Sequence, residues 1–99
     1  MLDIVKRSEN GIGVIELSGE LDTTSSVNFQ KEIEGFLDNL TDLTIDMKNL
    51  EYITSAGLRV LLLIDQTMED QGSFKVINVN EDVMDVFEVS GFSEVLDIQ

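Results

Sequence analysis

The segment Thr54-Ser55-Ala56-Gly57-Leu58 puts a hydroxyl at the expected start of a helix. It lies between a short apolar strand, Leu43-Thr44-Ile45-Asp46, and an apolar run beginning Leu58-Arg59-Val60-Leu61-Leu62. The first turn of a helix carries unpaired backbone N–H groups and a partial positive charge. A negatively charged oxygen, phosphate included, is stabilised there. Phosphate acceptance at Ser55 is therefore the chemistry this segment offers. The same residues also read as a plain helix start, with Ser55 as its N-cap and no further role. Gly57 falls in the first turn, where Gly costs roughly 1 kcal/mol relative to Ala. It allows a close backbone approach or an unusual turn. Arg59, one turn beyond Ser55, can meet a phosphate or a partner carboxylate, or simply stay solvated.

Little else in the chain can do chemistry. It has 99 residues with no His and no Cys, which removes the commonest general base, the commonest metal ligand and any thiolate site. No Gly-rich phosphate loop and no base for Ser55 are evident, so an enzyme, a cofactor and a metal are not expected. A receiver-type Asp acceptor is a poor reading: Asp46 ends a strand, but the acidic cluster that would hold Mg²⁺ is missing. The formal charge is −14, from 20 acidic and 6 basic residues. It repels nucleic acid and anionic lipid and favours basic partner surfaces. Residues 81–99 hold six acids and no base, so a basic partner suits the carboxyl-terminal face. No apolar run is long enough to cross a membrane and no secretion signal is visible, so a cytoplasmic protein is expected.

The elements that must position Ser55 form one α/β domain over residues 1–99. Ile4-Val5 and Val14-Ile15-Glu16-Leu17 read as a hairpin turning at Glu9-Asn10-Gly11. The imperfect alternation from Val14 to Leu17 suggests a strand covered on both faces. Asp22 or Thr23 caps a helix expected over residues 24–39, with Val27, Ile33, Phe36, Leu37 and Leu40 as its stripe and Phe29 at the edge. Leu43-Thr44-Ile45-Asp46-Met47 is the next strand, and strand–helix–strand order favours parallel or mixed pairing. Leu50 and Ile53 are expected to fill core space beneath the following loop. A nearly apolar helix runs from Ser55 or Ala56 to about Asp70 and ends at Gly72. A strand over residues 74–79 follows. Asn80 then caps a short final helix whose apolar face is Val83, Met84, Val86 and Phe87. Phe87, Met84 and Phe92 are read as core. Residues 95–98 form an edge strand or a packed tail.

Two motifs carry a family resemblance. The first is Leu17-Ser18-Gly19-Glu20-Leu21-Asp22, which matches an apolar-x-Gly-Glu/Asp-Leu/Ile-Asp signature leading into a first helix. The second runs from Leu50 to Leu61 around Thr54-Ser55-Ala56-Gly57-Leu58-Arg59 and matches a segment written Asp-Ser-Ser/Thr/Ala-Gly-Leu-Gly/Arg. Together they resemble the bacterial anti-sigma factor antagonists, the stand-alone members of the STAS domain family, over essentially the whole chain. The resemblance implies a four- or five-stranded mixed sheet with helices packed mainly on one face. It implies a partner kinase that acts as an anti-sigma factor and binds the ATP, a serine phosphatase that reverses the modification, and Ser55 as the phospho-acceptor. It places Glu20, Asp22 and Thr23 beside Thr54, Ser55, Ala56, Gly57 and Arg59 on the partner surface, with Gly57 letting the kinase approach the helix start. The position of the family's usual Asp is Thr54 here, which supplies a hydrogen bond but no charge. That departure keeps a second reading open: a STAS adaptor or scaffold that binds partners without phosphorylation.

Overall fold

The computed structural model describes residues 1–99. Asn10 and Gly11 both take positive φ, 53° and 81°. That is the backbone of a two-residue turn whose twist matches its strands. It joins β1 (Leu2–Glu9) to β2 (Ile12–Leu21) in antiparallel register. The chain continues through α1 (Thr23–Ile33), β3 (Asp42–Ile53), α2 (Ser55–Glu69), β4 (Ser73–Ile77), α3 (Glu81–Ser90) and a one-turn α4 (Phe92–Val95). The sheet order is β1-β2-β3-β4, with β2, β3 and β4 parallel. This is the expected mixed sheet. Ile98 adds one parallel bridge to Val76 at the outer edge of β4, so the tail both packs and pairs.

The sheet has one wet face, contrary to the expectation for β2. Ile15, Leu17 and Leu21 are buried, while Val14 and Glu16, on the alternate positions, are half-buried and Ile12 is exposed. The register puts Val14 beside Thr44, and Glu16 beside Asp46, on the face away from the core. Asp46 therefore lies inside β3, not at its end. Its carboxylate accepts from the Lys48 N–H at 2.9 Å and from Asn78 Nδ2 at 3.1 Å.

β3 is longer than the sequence suggested because its periodicity changes midway. Leu43, Ile45 and Met47 alternate, then Leu50 and Ile53 follow at intervals of three. The pairing with β2 shifts twice in this stretch, each shift placing an extra residue on β3. Such bulges break the two-residue period while keeping the inward residues inward. Leu50 and Ile53 are thus core residues of the strand itself.

α1 is shorter than expected and turned on its axis. It ends at Ile33, where Glu34 leaves helical geometry and Gly35 adopts φ 80°. Residues 34–39 run as turns that still carry Leu37 and Leu40 into the core. Gln71 Nε2 satisfies the carbonyls of Leu37 and Leu40 at 2.8 and 2.9 Å. The buried stripe is Ser26, Phe29 and Ile33, so Phe29 is fully buried and Val27 is 57% exposed. Asn80 caps α3 as expected, its Oδ1 accepting from the Val83 N–H at 2.8 Å. Its amide also donates to the Leu50 carbonyl at 2.7 Å, tying α3 to β3. Phe87 is fully buried, with Met84 and Phe92 packed against the same core.

Candidate functional site

Parallel pairing decides where Ser55 stands. Leu21 and Ile53 are register partners at the carboxyl ends of β2 and β3. The helices that follow, α1 and α2, therefore begin side by side. The Thr54 N–H donates to the Leu21 carbonyl at 3.0 Å, and the Thr54 hydroxyl reaches the same oxygen at 3.5 Å. These contacts stitch the two strand–helix corners together. The carboxyl ends of parallel strands, where helices begin, are the usual place for a functional site in such sheets.

The two corners differ in how their helix starts are satisfied. At α1, Asp22 is the N-cap of a complete capping box: its carboxylate accepts from the Ser25 N–H at 2.9 Å, and the Ser25 hydroxyl accepts from the Asp22 N–H at 2.9 Å. The Ser25 N–H, helped by the Ser25 hydroxyl, holds the Asp22 carboxyl below its ordinary value; partial desolvation opposes this. At α2 the N-cap is Thr54, not Ser55, and it makes no side-chain cap hydrogen bond. Its hydroxyl is turned back toward Leu21. Ser55 is the first helical residue, exposed, and no acid lies in its turn. The N–H groups of this turn are left without a side-chain acceptor, the arrangement that favours an anionic oxygen.

The sequence-expected residues divide accordingly. Ser55, Thr23 and Glu20 are exposed, and Thr54, Ala56 and Asp22 are partly so, all around the joined corners. Glu20 lies 3.6 Å from the amino-terminal ammonium. Asp22 is committed to Ser25 and supplies no hydrogen bond to Ser55. Arg59 is exposed and forms no ion pair within the chain.

Gly57 is buried, and the side chain it lacks would face the core. A Cβ there would sit 2.8 Å from Ile53 Cγ1 and 2.8 Å from Leu21 Cγ. Its missing side chain lets α2 close down on the ends of β2 and β3.

Sequence reasoning missed a groove that runs from Ser55 to α3. It has a volume of about 410 Å³, and its lining includes Tyr52, Leu58, Asp85, Val86 and Val89. The available signal was Val89, an apolar residue off the Val83–Phe87 stripe of its own helix.

Comparison with known proteins supplies the family. The STAS domain model matches residues 3–99. The anti-sigma-B factor antagonist of Bacillus subtilis is 30% identical over 95 residues, covering 95% of this chain and 86% of that protein. The crystal structure of an anti-sigma factor antagonist from Mycobacterium paratuberculosis superposes with a TM-score of 0.89 at 19% identity, covering 99% of this chain and 85% of that one. The antagonist SpoIIAA in its unphosphorylated form superposes at 0.82 with 22% identity, covering 98% and 88%. The Bacillus SpoIIAA in its phosphorylated form superposes at 0.74 with 21% identity, covering 98% and 91%.

Proposed function

The chain belongs to the STAS domain family, and from that premise we propose that it is an anti-sigma factor antagonist switched by phosphorylation of Ser55. Unmodified, it sequesters an anti-sigma factor that is also a serine kinase; phosphorylated, it releases that partner. It is a binding protein rather than an enzyme, in keeping with relatives named as anti-sigma factor antagonists. The cytoplasm is the compartment that this role requires. The observation that carries the reading is the exposed Ser55 at an uncapped helix start, in a chain 30% identical to a named antagonist.

In the transfer step, the Ser55 oxygen bonds to the γ-phosphorus of ATP held by the partner. The bond from that phosphorus to its bridging oxygen breaks, and ADP leaves. The hydroxyl proton passes to a base on the partner, because Ser55 has none of its own. A serine phosphatase restores the hydroxyl with water and liberates inorganic phosphate.

The phosphate adds about −1.5 to −2 charges. The helix start steadies it in water, but the chain already carries −14. At a closed interface an unpaired phosphate costs far more than in solvent. The switch is thus local: Ser55 is exposed and its modification needs no refolding. Intact mass after incubation with the source cell's anti-sigma kinases and ATP-Mg²⁺ tests this. One phosphate on wild type and none on Ser55→Ala is expected, with unchanged circular dichroism.

Thr54 favours a second reading. The residue before the acceptor brings no charge, and its hydroxyl is directed at Leu21. An adaptor that binds without modification fits that feature. Tight kinase binding with no phosphate transfer is its signature.

A further inference from the structure

We propose that β1 is a self-association edge, pairing antiparallel with β1 of a second copy about a two-fold axis at Val5. The sheet has two edges, and only the one at β4 is closed. There the Val76 N–H donates to the Asp97 carbonyl at 2.9 Å, and the Gln99 N–H donates to the Val76 carbonyl at 2.8 Å. No strand lies beyond β1. The two-residue turn makes Glu9 and Ile12 a hydrogen-bonded pair. Alternation then commits the backbone of Arg7, Val5 and Asp3 to β2 and aims the N–H and C=O groups of Leu2, Ile4, Lys6 and Ser8 outward. No other segment of the chain bonds to them. Open edges are normally blunted by a Pro, a bulge or a projecting Lys. The chain has no Pro, and β1 keeps unbroken register with β2 from Leu2 to Glu9. Lys6 is drawn back, its ammonium 3.0 Å from the Glu32 carbonyl and 3.4 Å from the Glu32 carboxylate.

The side chains of the strand complement themselves. With Val5 on the axis, Ile4 of one copy and Lys6 of the other take hydrogen-bonded positions. Asp3 then faces Arg7 in a non-hydrogen-bonded pair, where side chains approach most closely, and symmetry repeats that pair. Sliding the register by two residues loses it, setting Asp3 against Val5 one way and against Glu9 the other. Asp3, Val5 and Arg7 are all exposed, Val5 by 49%. Asp3 has no ion pair in its own chain, whereas Arg7 already holds Glu16. The Arg7 guanidinium has donors enough for a second carboxylate. Within β1, Asp3 and Glu9 cancel Lys6 and Arg7, in a chain of net charge −14. Two copies therefore meet here with little of the repulsion that opposes contact elsewhere. An axis normal to the sheet reverses the strand direction, so the two Ser55 corners lie at opposite ends of the joined sheet and both stay open.

Sedimentation equilibrium of the full chain, at concentrations up to about 1 mM, tests the edge. Wild type is expected to dimerise. Val5→Lys puts two ammonium groups on the axis, while within one chain it stands opposite Glu16. Arg7→Asp sets acid against acid. Each should weaken dimerisation about tenfold or more, with melting curves confirming that each folds. Asp3→Arg combined with Arg7→Asp restores the pair with its direction reversed and should recover wild-type association, which a merely destabilised strand would not. A wild type that stays monomeric overturns the proposal. So does a dimer that both single variants keep, which places the contact elsewhere, and so does a failure of the double variant to recover. None of these outcomes involves Ser55 or a kinase, so the function proposed above stands or falls separately.

Discussion

Replacing Gly57 by Ala separates packing from partner contact at the acceptor turn. If Gly57 served an approaching kinase, Ala would leave the fold intact and weaken binding. The structure requires the reverse order of effects. The added Cβ would stand 2.8 Å from both Leu21 Cγ and Ile53 Cγ1. Carbon atoms pack at about 3.5–4.0 Å, so the neighbours must retreat by about 0.7 Å or more. They cannot do so cheaply: both clashing atoms are γ carbons, one bond beyond Cβ rather than at the free end of a flexible side chain, and Leu21 and Ile53 are fully buried. Overpacking of this kind costs about 1–3 kcal/mol. The better helix propensity of Ala returns at most about 1 kcal/mol. A net loss of about 1 kcal/mol lowers the melting temperature of a domain this size by roughly 4–8 °C. Urea and thermal unfolding followed by circular dichroism measure it. A Gly57→Ala protein as stable as wild type, or more so, would refute the packing argument and return Gly57 to the partner surface.

Phe29→Ala should cost about 3–5 kcal/mol, whereas Val27→Ala should stay within about 0.5 kcal/mol; denaturant titration of the pair checks the rotation of α1. Asn80→Ala removes the cap of α3 and its tie to the Leu50 carbonyl, and a loss of about 1–3 kcal/mol is expected by the same assay. Asp22→Ala should lower the melting temperature at neutral pH. The Asp22 carboxyl lies lower in the folded chain than its ordinary 3.8, so its contribution is full above that value and fades as pH falls through the folded one. Melting curves of wild type and variant should therefore converge in acid, and a gap that persists there would contradict the cap assignment.

Residue types and spacing alone determined the order of the elements as far as α3 and the place of Ser55 at the start of α2, because strand alternation, the Asn-Gly turn and the caps are local signals; the choice of a mixed over a parallel sheet came from the family resemblance. They also identified Asn80 as a cap and narrowed the cap of α1 to Asp22 or Thr23, since a cap bonds only to its own first turn. What failed did so for non-local reasons. The second half of β3 lost its period because bulges against β2 shift it, and no window of β3 contains its partner. The phase of α1 depended on which side chain the sheet admits, and Phe29 displaces Val27 because it fills more of the core. Gly57 read as freedom for a visitor, whereas the neighbours that need its missing Cβ are Ile53, four residues back, and Leu21, on another strand. The groove was invisible for the same reason: Tyr52 and Val89 lie far apart in the chain. They become one surface only when α3 docks beside the long end of β3.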